Sequence, residues 1–196
     1  MNLLLVIQEY VSSIGSKKRI ELLRQYVDPK SSDVILDIGG YTGKISAAAY
    51  SRDNCKDVFV LEPKNKNVEY GRLRRPNIRF IEGGAESIPL PDEYFDKVVA
   101  SFSFHHLSDQ NKGLEEMKRV LKPDGRLIIF ESNPITGRGK MLKLIENLLH
   151  TGAKFYEPAQ LRKKVEEYDL NVISVDSLSL GYFLIATKKT ERKNLL

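Results

Sequence analysis

VILDIGGYTG, residues 34–43, joins a short apolar run to a glycine-rich turn and places Asp37 near the end of the run. The continuous apolar residues predict a buried strand. Three glycines within five positions predict a tight turn in which the backbone can approach a ligand closely. Ligands of open α/β sheets bind beyond the carboxyl ends of the strands, so this turn is the first candidate site.

The segments around this stretch alternate between helical and strand patterns. Further apolar runs predict strands, and the segments between them predict helices; the strands cover 58–61, 78–81, 97–101 and 127–130, and the helices cover 16–27, 44–51, 65–75 and 110–121. Residues 123–125, Pro-Asp-Gly, predict a turn before the fifth strand. Strands that are continuously apolar and separated by helices are typical of a parallel sheet covered on both faces.

The pattern changes after Pro134. Residues 141–149 are apolar around most of the helix circumference, which predicts a buried or covering helix. Another helix is expected around Leu161 and Val165, followed by strands at 172–175 and 182–187 that pair in antiparallel fashion. The predicted fold is therefore α/β: a Rossmann-like, doubly wound, seven-stranded sheet, mostly parallel with a late antiparallel strand and with helices on both faces.

The 196 residues suit one domain with a full core. We divide it into N-terminal helices (1–30, including the apolar run 3–7), a ligand-binding core (31–132), a helical lid or cap (133–165), the last two strands (166–188) and a basic tail (189–196). A formal net charge of +5 permits an anionic partner without requiring one. No stretch is long and apolar enough to predict a membrane span.

Cysteine and histidine are scarce. Cys55 is the single cysteine, so no internal disulfide can form, and a reducing cytoplasm is the expected location. With three histidines at unsuitable spacings, a structural zinc site is not expected, and no metal is predicted.

Three interpretations of the glycine turn compete. A phosphate-binding P-loop requires Ser or Thr after Gly43-Lys44, where this chain has Ile45, and a dinucleotide fingerprint requires glycine at positions 41 and 44. The carboxylate of Asp37 would also repel a pyrophosphate, whereas it suits a ligand that carries an ammonium group. S-adenosylmethionine has an ammonium and a sulfonium and no phosphate. A tight turn without a ligand is the remaining alternative.

Glu62 provides a second signal. It follows the second apolar run, about 20 residues beyond the glycine turn, where an acid can accept hydrogen bonds from both ribose hydroxyls. Hydrogen bonds to a charged group contribute roughly 1.5–3 kcal/mol. A solvated acid is the alternative interpretation of this residue.

Five segments in order resemble the class I S-adenosylmethionine-dependent methyltransferases, and especially the small-molecule branch that includes the ubiquinone and menaquinone biosynthesis enzymes. They are VILDIGGYTG (34–43), VLEP (60–63), GGAESIPL (83–90), FDKVV leading into FHHL (95–107) and RVLKPDG (119–125). The resemblance covers about residues 33–130, and more weakly extends to residue 187. It implies the methyltransferase fold, S-adenosylmethionine as cofactor and methyl transfer by in-line displacement.

The resemblance also implies roles for particular residues. Asp37 and the Ser101 carbonyl would hold the methionine amine, and the turn would face the methionine moiety through Gly39, Gly40, Tyr41 and Gly43. The ribose would lie at Glu62 and Pro63, and the adenine edge at Gly84, Ala85 and Glu86. Tyr41 stands where the family usually has glycine. Gly84 stands where the family usually has an acid that hydrogen-bonds to adenine, and Glu86 could supply that hydrogen bond instead.

His105 and His106 follow the fourth predicted strand and are candidate general bases for an acceptor proton. The alternative is that they cap or pack locally. A small-molecule acceptor is the leading interpretation, and no motif for methylating nucleic-acid bases follows the fourth strand.

Two other functions remain open. RNA or protein methylation would be favoured if the basic segment 134–164, with seven Lys and Arg against two Glu, borders the pocket. A non-catalytic module that binds S-adenosylmethionine or a nucleoside is the third hypothesis, based on Tyr41 and Gly84.

Overall fold

The computed structural model describes residues 16–50, 57–149 and 151–188, and a seven-stranded sheet forms its centre. The strands are β1 (Val34–Ile38), β2 (Asp57–Glu62), β3 (Ile78–Glu82), β4 (Phe95–Ser101), β5 (Leu121–Glu131), β6 (Leu170–Leu178) and β7 (Gly181–Lys188). Their order is β3-β2-β1-β4-β5-β7-β6. The first five strands are parallel, and β7 pairs in antiparallel fashion with both β5 and β6. The predicted sheet is confirmed.

The described residues form six α-helices: α1 (Ser16–Val27), α2 (Lys44–Tyr50), α3 (Asn65–Arg74), α4 (Gln110–Val120), α5 (Gly137–Leu148) and α6 (Pro158–Glu166). Every residue of β1 is buried, because its two faces contribute to two different hydrophobic cores. Leu36 packs in the core shared with α4 and α6, whereas Ile35 packs in the core shared with α1, α2 and α3. This confirms the prediction of helices on both faces.

The helix after Pro134 agrees with one of its two expected positions. α5 buries only Gly139 among its residues, and most of its large apolar side chains are exposed, Leu144 to 59% and Leu148 to 69%. The alternative of a buried helix was therefore wrong, whereas the alternative of a covering helix agrees with the position of α5 over a cavity. The Pro-Asp-Gly turn at 123–125 also falls inside β5, where Asp124 adopts a positive φ of 62°.

Some predicted features lie outside the described residues. They are the apolar run at 3–7, Cys55 and the basic tail at 189–196. Among the described helices, none combines the length and apolarity needed to cross a bilayer.

Candidate functional site

The glycine turn is held between β2 and the segment after β4. The backbone N–H of Gly39 donates to the Leu61 carbonyl at 2.8 Å, and the Ser103 hydroxyl donates to the Ile38 carbonyl at 2.6 Å. A Cβ on Gly39, whose φ is +67°, would lie 2.7 Å from the Ser103 Cβ. The turn therefore follows a path that requires glycine at position 39, at the carboxyl ends of β1, β2 and β4.

The other turn residues share this packing. A Cβ on Gly40 would lie 2.9 Å from a methyl group of Val60, and Gly43 lies against the ring of Phe80. Tyr41 adopts the left-handed region, with φ of 56°, although it is not glycine. The turn thus places a half-buried tyrosine in a backbone conformation that usually favours glycine.

Asp37 is a buried carboxylate behind this turn. It is 3% exposed, and its Oδ2 accepts a hydrogen bond from the Ser46 hydroxyl at 2.7 Å. Burial raises the pKa of Asp37 to about 6, although Ser46 and the Arg19 guanidinium oppose the shift. The neighbouring hydroxyl of Tyr50 is buried and has no hydrogen-bond partner among the described residues. A buried carboxylate of this kind is suited to hold a cationic group.

Glu62 is likewise buried, at the end of β2. Its Oε1 accepts hydrogen bonds from the Asn67 side-chain amide at 2.8 Å and from the Lys64 N–H at 3.2 Å. This leaves Asn67 Oδ1 buried with no partner in the described part of the chain. The carboxylate and the free amide oxygen can both accept hydrogen bonds from a ligand's hydroxyls. Pro63 follows at the surface.

The loop that the resemblance assigns to adenine is ordered by Glu86. Its Oε1 accepts hydrogen bonds from the N–H and hydroxyl of Ser108 and from the N–H of Asp109, at 2.8, 2.7 and 3.2 Å. Ala85 is buried in the core, and Gly84 lies beside the Glu86 carboxylate. Glu86 therefore anchors the segment after β4, a role that the sequence did not predict.

Ser101 has a partner that the sequence did not predict. Nη2 of Arg19, from α1, donates to the Ser101 carbonyl at 2.6 Å, and Nε donates to its hydroxyl at 3.1 Å. The guanidinium also lies over the ring of Phe102, 5.0 Å from its centroid. Burial lowers the pKa of the Arg19 guanidinium, although the negative charges of Asp37 and Glu131 partly oppose this shift. A cation thus already occupies the carbonyl that was expected to bind an amine.

His105 and His106 lie together on a 3-10 turn, Phe104–His106, and differ in exposure. His105 is buried; its Nδ1 lies 2.6 Å from Glu131 Oε2, and its ring stacks on Phe155 with centroids 4.4 Å apart. His106 is exposed at the surface. Partial burial of its ring and the nearby ring of His105 both lower the pKa of His106. Glu131, at the end of β5, was not predicted as a site residue.

A cavity of about 560 Å³ opens beside these groups, and we call it the acceptor cavity. Arg19 and Phe102 line one side, the two histidines line another, and α5 contributes Arg138, Met141, Leu142, Ile145 and Glu146. Its walls combine apolar side chains with a few charged groups, which is typical of small-molecule sites. Of the seven basic residues between 134 and 164, Arg138 alone lines it, as far as the described residues show.

A larger groove of about 730 Å³ lies at the opposite end of the sheet, around the residues that precede β4 and β5. Its charged side chains pair with one another, as Arg119 does with Asp92 and Lys118 does with Asp169. Since ligands of parallel sheets bind at the carboxyl ends of the strands, this groove is the weaker candidate.

Comparison with known proteins identifies the same region. Residues 36–129 match a family model described as a methyltransferase domain. The ubiquinone/menaquinone biosynthesis C-methyltransferase UbiE of Vibrio campbellii is 38% identical over 110 residues, covering 52% of this chain and 42% of the relative. The chain therefore spans less than half the length of this curated relative.

Two solved structures share the fold. A protein from Thermotoga maritima, described as an S-adenosylmethionine-dependent methyltransferase and possible histamine N-methyltransferase, has a TM-score of 0.74 at 21% identity, covering 93% of this chain and 96% of that one. The YcgJ protein from Bacillus subtilis has a TM-score of 0.68 at 24% identity, covering 81% and 71%. Both likenesses concern the architecture of the sheet and its helices.

Proposed function

We propose that this chain, whose residues 36–129 match a methyltransferase family model, is a class I S-adenosylmethionine-dependent methyltransferase that transfers a methyl group to a small molecule in the acceptor cavity. The cofactor supplies a methyl group already activated on a sulfonium, so positioning of the acceptor provides much of the catalysis. The observation that carries the proposal is the acceptor cavity itself, which is lined by Phe102, the residue that follows β4.

The residues present fit this cofactor. Asp37 would face its ammonium group, since a buried carboxylate favours a cationic partner. Glu62 and the unpartnered Oδ1 of Asn67 would accept hydrogen bonds from the ribose hydroxyls. The turn at Gly39 and Gly40 would face the methionine moiety, and the Ala85 segment would border the adenine.

Arg19 adds a requirement to this assignment. Its guanidinium donates to the Ser101 carbonyl, and two cations at one carbonyl oxygen would repel each other, so we expect the guanidinium to move when the cofactor amine binds there. The cofactor also carries a carboxylate, which is a matching partner for a guanidinium. We therefore assign Arg19 to the methionine carboxylate and Ser101 to the amine in the loaded protein.

The acceptor is proposed from the lining of the cavity. Met141, Leu142 and Ile145 offer apolar contacts, and the two histidines and the charged side chains of the lining offer polar contacts. An aromatic, quinone-like molecule with polar substituents can use both kinds of contact, and the UbiE relative is named for quinone biosynthesis. Among the described basic residues between 134 and 164, Arg138 alone lines the cavity, and this argues against RNA as the acceptor. A cytoplasmic location stays a prediction.

Calorimetry and a methyl-transfer assay test this proposal together. We expect micromolar binding of S-adenosylmethionine and of S-adenosylhomocysteine, weakened at least tenfold in Asp37→Ala and in Glu62→Ala. The control is Asp57→Ala, which removes a carboxylate from the other end of β2, where it pairs with Arg79.

The transfer assay uses cofactor labelled in its methyl group and a panel of hydroxylated aromatics and quinols. Label in an acceptor supports the proposal. Binding without transfer to any acceptor in the panel or in a cell extract would favour a non-catalytic module. No binding by the wild-type protein would refute the cofactor assignment.

A further inference from the structure

We propose that His105, His106 and Glu146 bind a transition-metal ion of the zinc type at the wall of the acceptor cavity. A ring nitrogen of each histidine and a carboxylate oxygen of Glu146 lie within 4.8 Å of one another. Glu146 comes from α5, forty residues along the chain from the histidines, so only the fold brings the three together. Two histidines and one glutamate are a ligand set that zinc enzymes use.

The orientation of His105 supports this assignment. Its Nδ1 is held by Glu131 at 2.6 Å, and its backbone N–H also donates to Glu131, at 3.3 Å. The ring is fixed by stacking on Phe155. A carboxylate on one ring nitrogen orients the other nitrogen of a metal-binding histidine and raises its basicity. Glu131 is therefore a positioning residue, and Nε2 of His105 is the ligand atom.

Glu146 supplies an independent observation. Its Oε2 is buried and has no hydrogen-bond partner among the described residues. A carboxylate oxygen that has lost water without gaining a partner is unfavourable, and a bound cation would stabilise it. Because a ring nitrogen from each of two histidines lies near this oxygen, the three groups can coordinate one metal ion.

The charges around the cluster indicate which ion would bind. Lys18, Arg19 and Arg138 also line the cavity, and they disfavour an ion held mainly by long-range attraction. Calcium and magnesium prefer oxygen ligands, whereas imidazole suits zinc and its transition-metal neighbours. Nitrogen coordination at short range therefore favours the zinc-type ion.

The proposed function gives this ion a role. Three protein ligands leave a fourth position of a tetrahedral ion open to water or to an acceptor oxygen. A bound hydroxyl would lose its proton to solvent more easily, because the ion stabilises the resulting anion. This role depends on the proposed methyl transfer, whereas the binding of the ion does not.

Metal titration of the full chain tests the inference. The protein is stripped with a chelator and titrated with Co²⁺, followed by its visible absorption, and then with Zn²⁺ by calorimetry and by displacement of Co²⁺. We expect one ion per chain, with affinity at least tenfold lower in His106→Ala and in Glu146→Gln. Both side chains lie on surface elements, so the fold should persist, and thermal unfolding checks this.

The matched control is Glu69→Gln, which removes a surface carboxylate that pairs with Arg72. Glu131→Gln tests positioning, with an expected loss of about tenfold in metal affinity. Absence of saturable one-to-one binding, or equal binding in the wild type and both ligand variants, would overturn the inference. S-adenosylmethionine binding is measured on the same samples, so failure of the cofactor assignment is seen separately from failure of the metal site.

Discussion

The proposed cofactor side and the proposed acceptor side of this site are built in different ways. On the cofactor side, Asp37 and Glu62 are buried carboxylates at the ends of adjacent strands, each with a hydrogen-bonded neighbour. On the acceptor side, the cavity is lined by α1, the histidine turn and α5, and α5 leaves most of its apolar side chains exposed. The first region depends on the core of the sheet, whereas the second is formed by surface elements that can vary without changing the fold.

The largest expected effect tests this contrast with two glycines of similar backbone conformation. Gly39 has φ of +67° and would place a Cβ 2.7 Å from Ser103, whereas Gly152, at +72°, has nothing within 4 Å. We expect Gly39→Ala to lower the free energy of unfolding by about 3 kcal/mol, since left-handed strain and overpacking add. Gly152→Ala should lower it by about 1 kcal/mol, from the backbone alone. Urea denaturation measures both, and equal losses would contradict the contrast.

The next effect concerns Arg19, which connects the two sides. Arg19→Ala should weaken binding of S-adenosylhomocysteine about 20-fold, as expected when a charged hydrogen bond of roughly 1.5–3 kcal/mol is lost. Lys18→Ala is the matched control, because Lys18 is the adjacent cation on α1 and is exposed. Calorimetry measures both. Tighter binding in Arg19→Ala would show instead that the guanidinium competes with the cofactor for Ser101.

A smaller effect follows from the pKa of Asp37, which is about 6. A cationic ligand needs the ionised carboxyl, so cofactor affinity should fall about tenfold between pH 7 and pH 5 as this group takes up a proton. Stability without cofactor responds in the opposite sense: the raised pKa means that the contribution of Asp37 is largest at low pH and is lost as pH rises through 6. Arg19 and Tyr50 are charged or titratable neighbours of Asp37 in this cluster.

The measurement is the dissociation constant for S-adenosylhomocysteine at several pH values. Asp37→Asn should bind more weakly throughout and show a flat profile over this range. A profile in the variant that matches the wild type would assign the titration to another group.

The smallest effect is confined to the acceptor side. Met141 lines the acceptor cavity, whereas Leu144 lies on the same helix, is equally exposed at 59% and is not among the lining residues. Met141→Ala should raise the acceptor KM about threefold, because apolar contact with the acceptor is lost. Leu144→Ala should leave it unchanged, and neither variant should alter cofactor affinity. A change in cofactor affinity in either one would mean that the two sides are coupled.

The same contrast explains how much could be predicted from the sequence. The positions of the strands, their parallel direction and the late antiparallel pair were predicted, because continuous apolar runs and tight turns are local signals. Asp37 and Glu62 were placed at strand ends for the same reason. Their roles toward a cofactor stay predictions until binding is measured.

Features that depend on distant partners could not be predicted. Arg19 meets Ser101 across 82 positions, and Glu131 meets His105 across 26. Glu86 was expected near the adenine, but its carboxylate anchors Ser108. The sequence left α5 open between a buried and a covering helix, because an apolar circumference indicates contact with apolar surroundings and does not specify whether these are core, ligand or another surface.

The strand order carries a consequence for synthesis of the chain on the ribosome. β7 lies between β5 and β6, so the free edge of β5, which ends at Glu131, has no strand to pair with until residues 181–188 have been made. At a rate of chain synthesis of about 5–20 residues per second, the edge of β5 stays unpaired for roughly 3–10 seconds. During this interval the cofactor side is already complete in sequence, and the nascent chain presents an apolar strand edge on which chaperones can act.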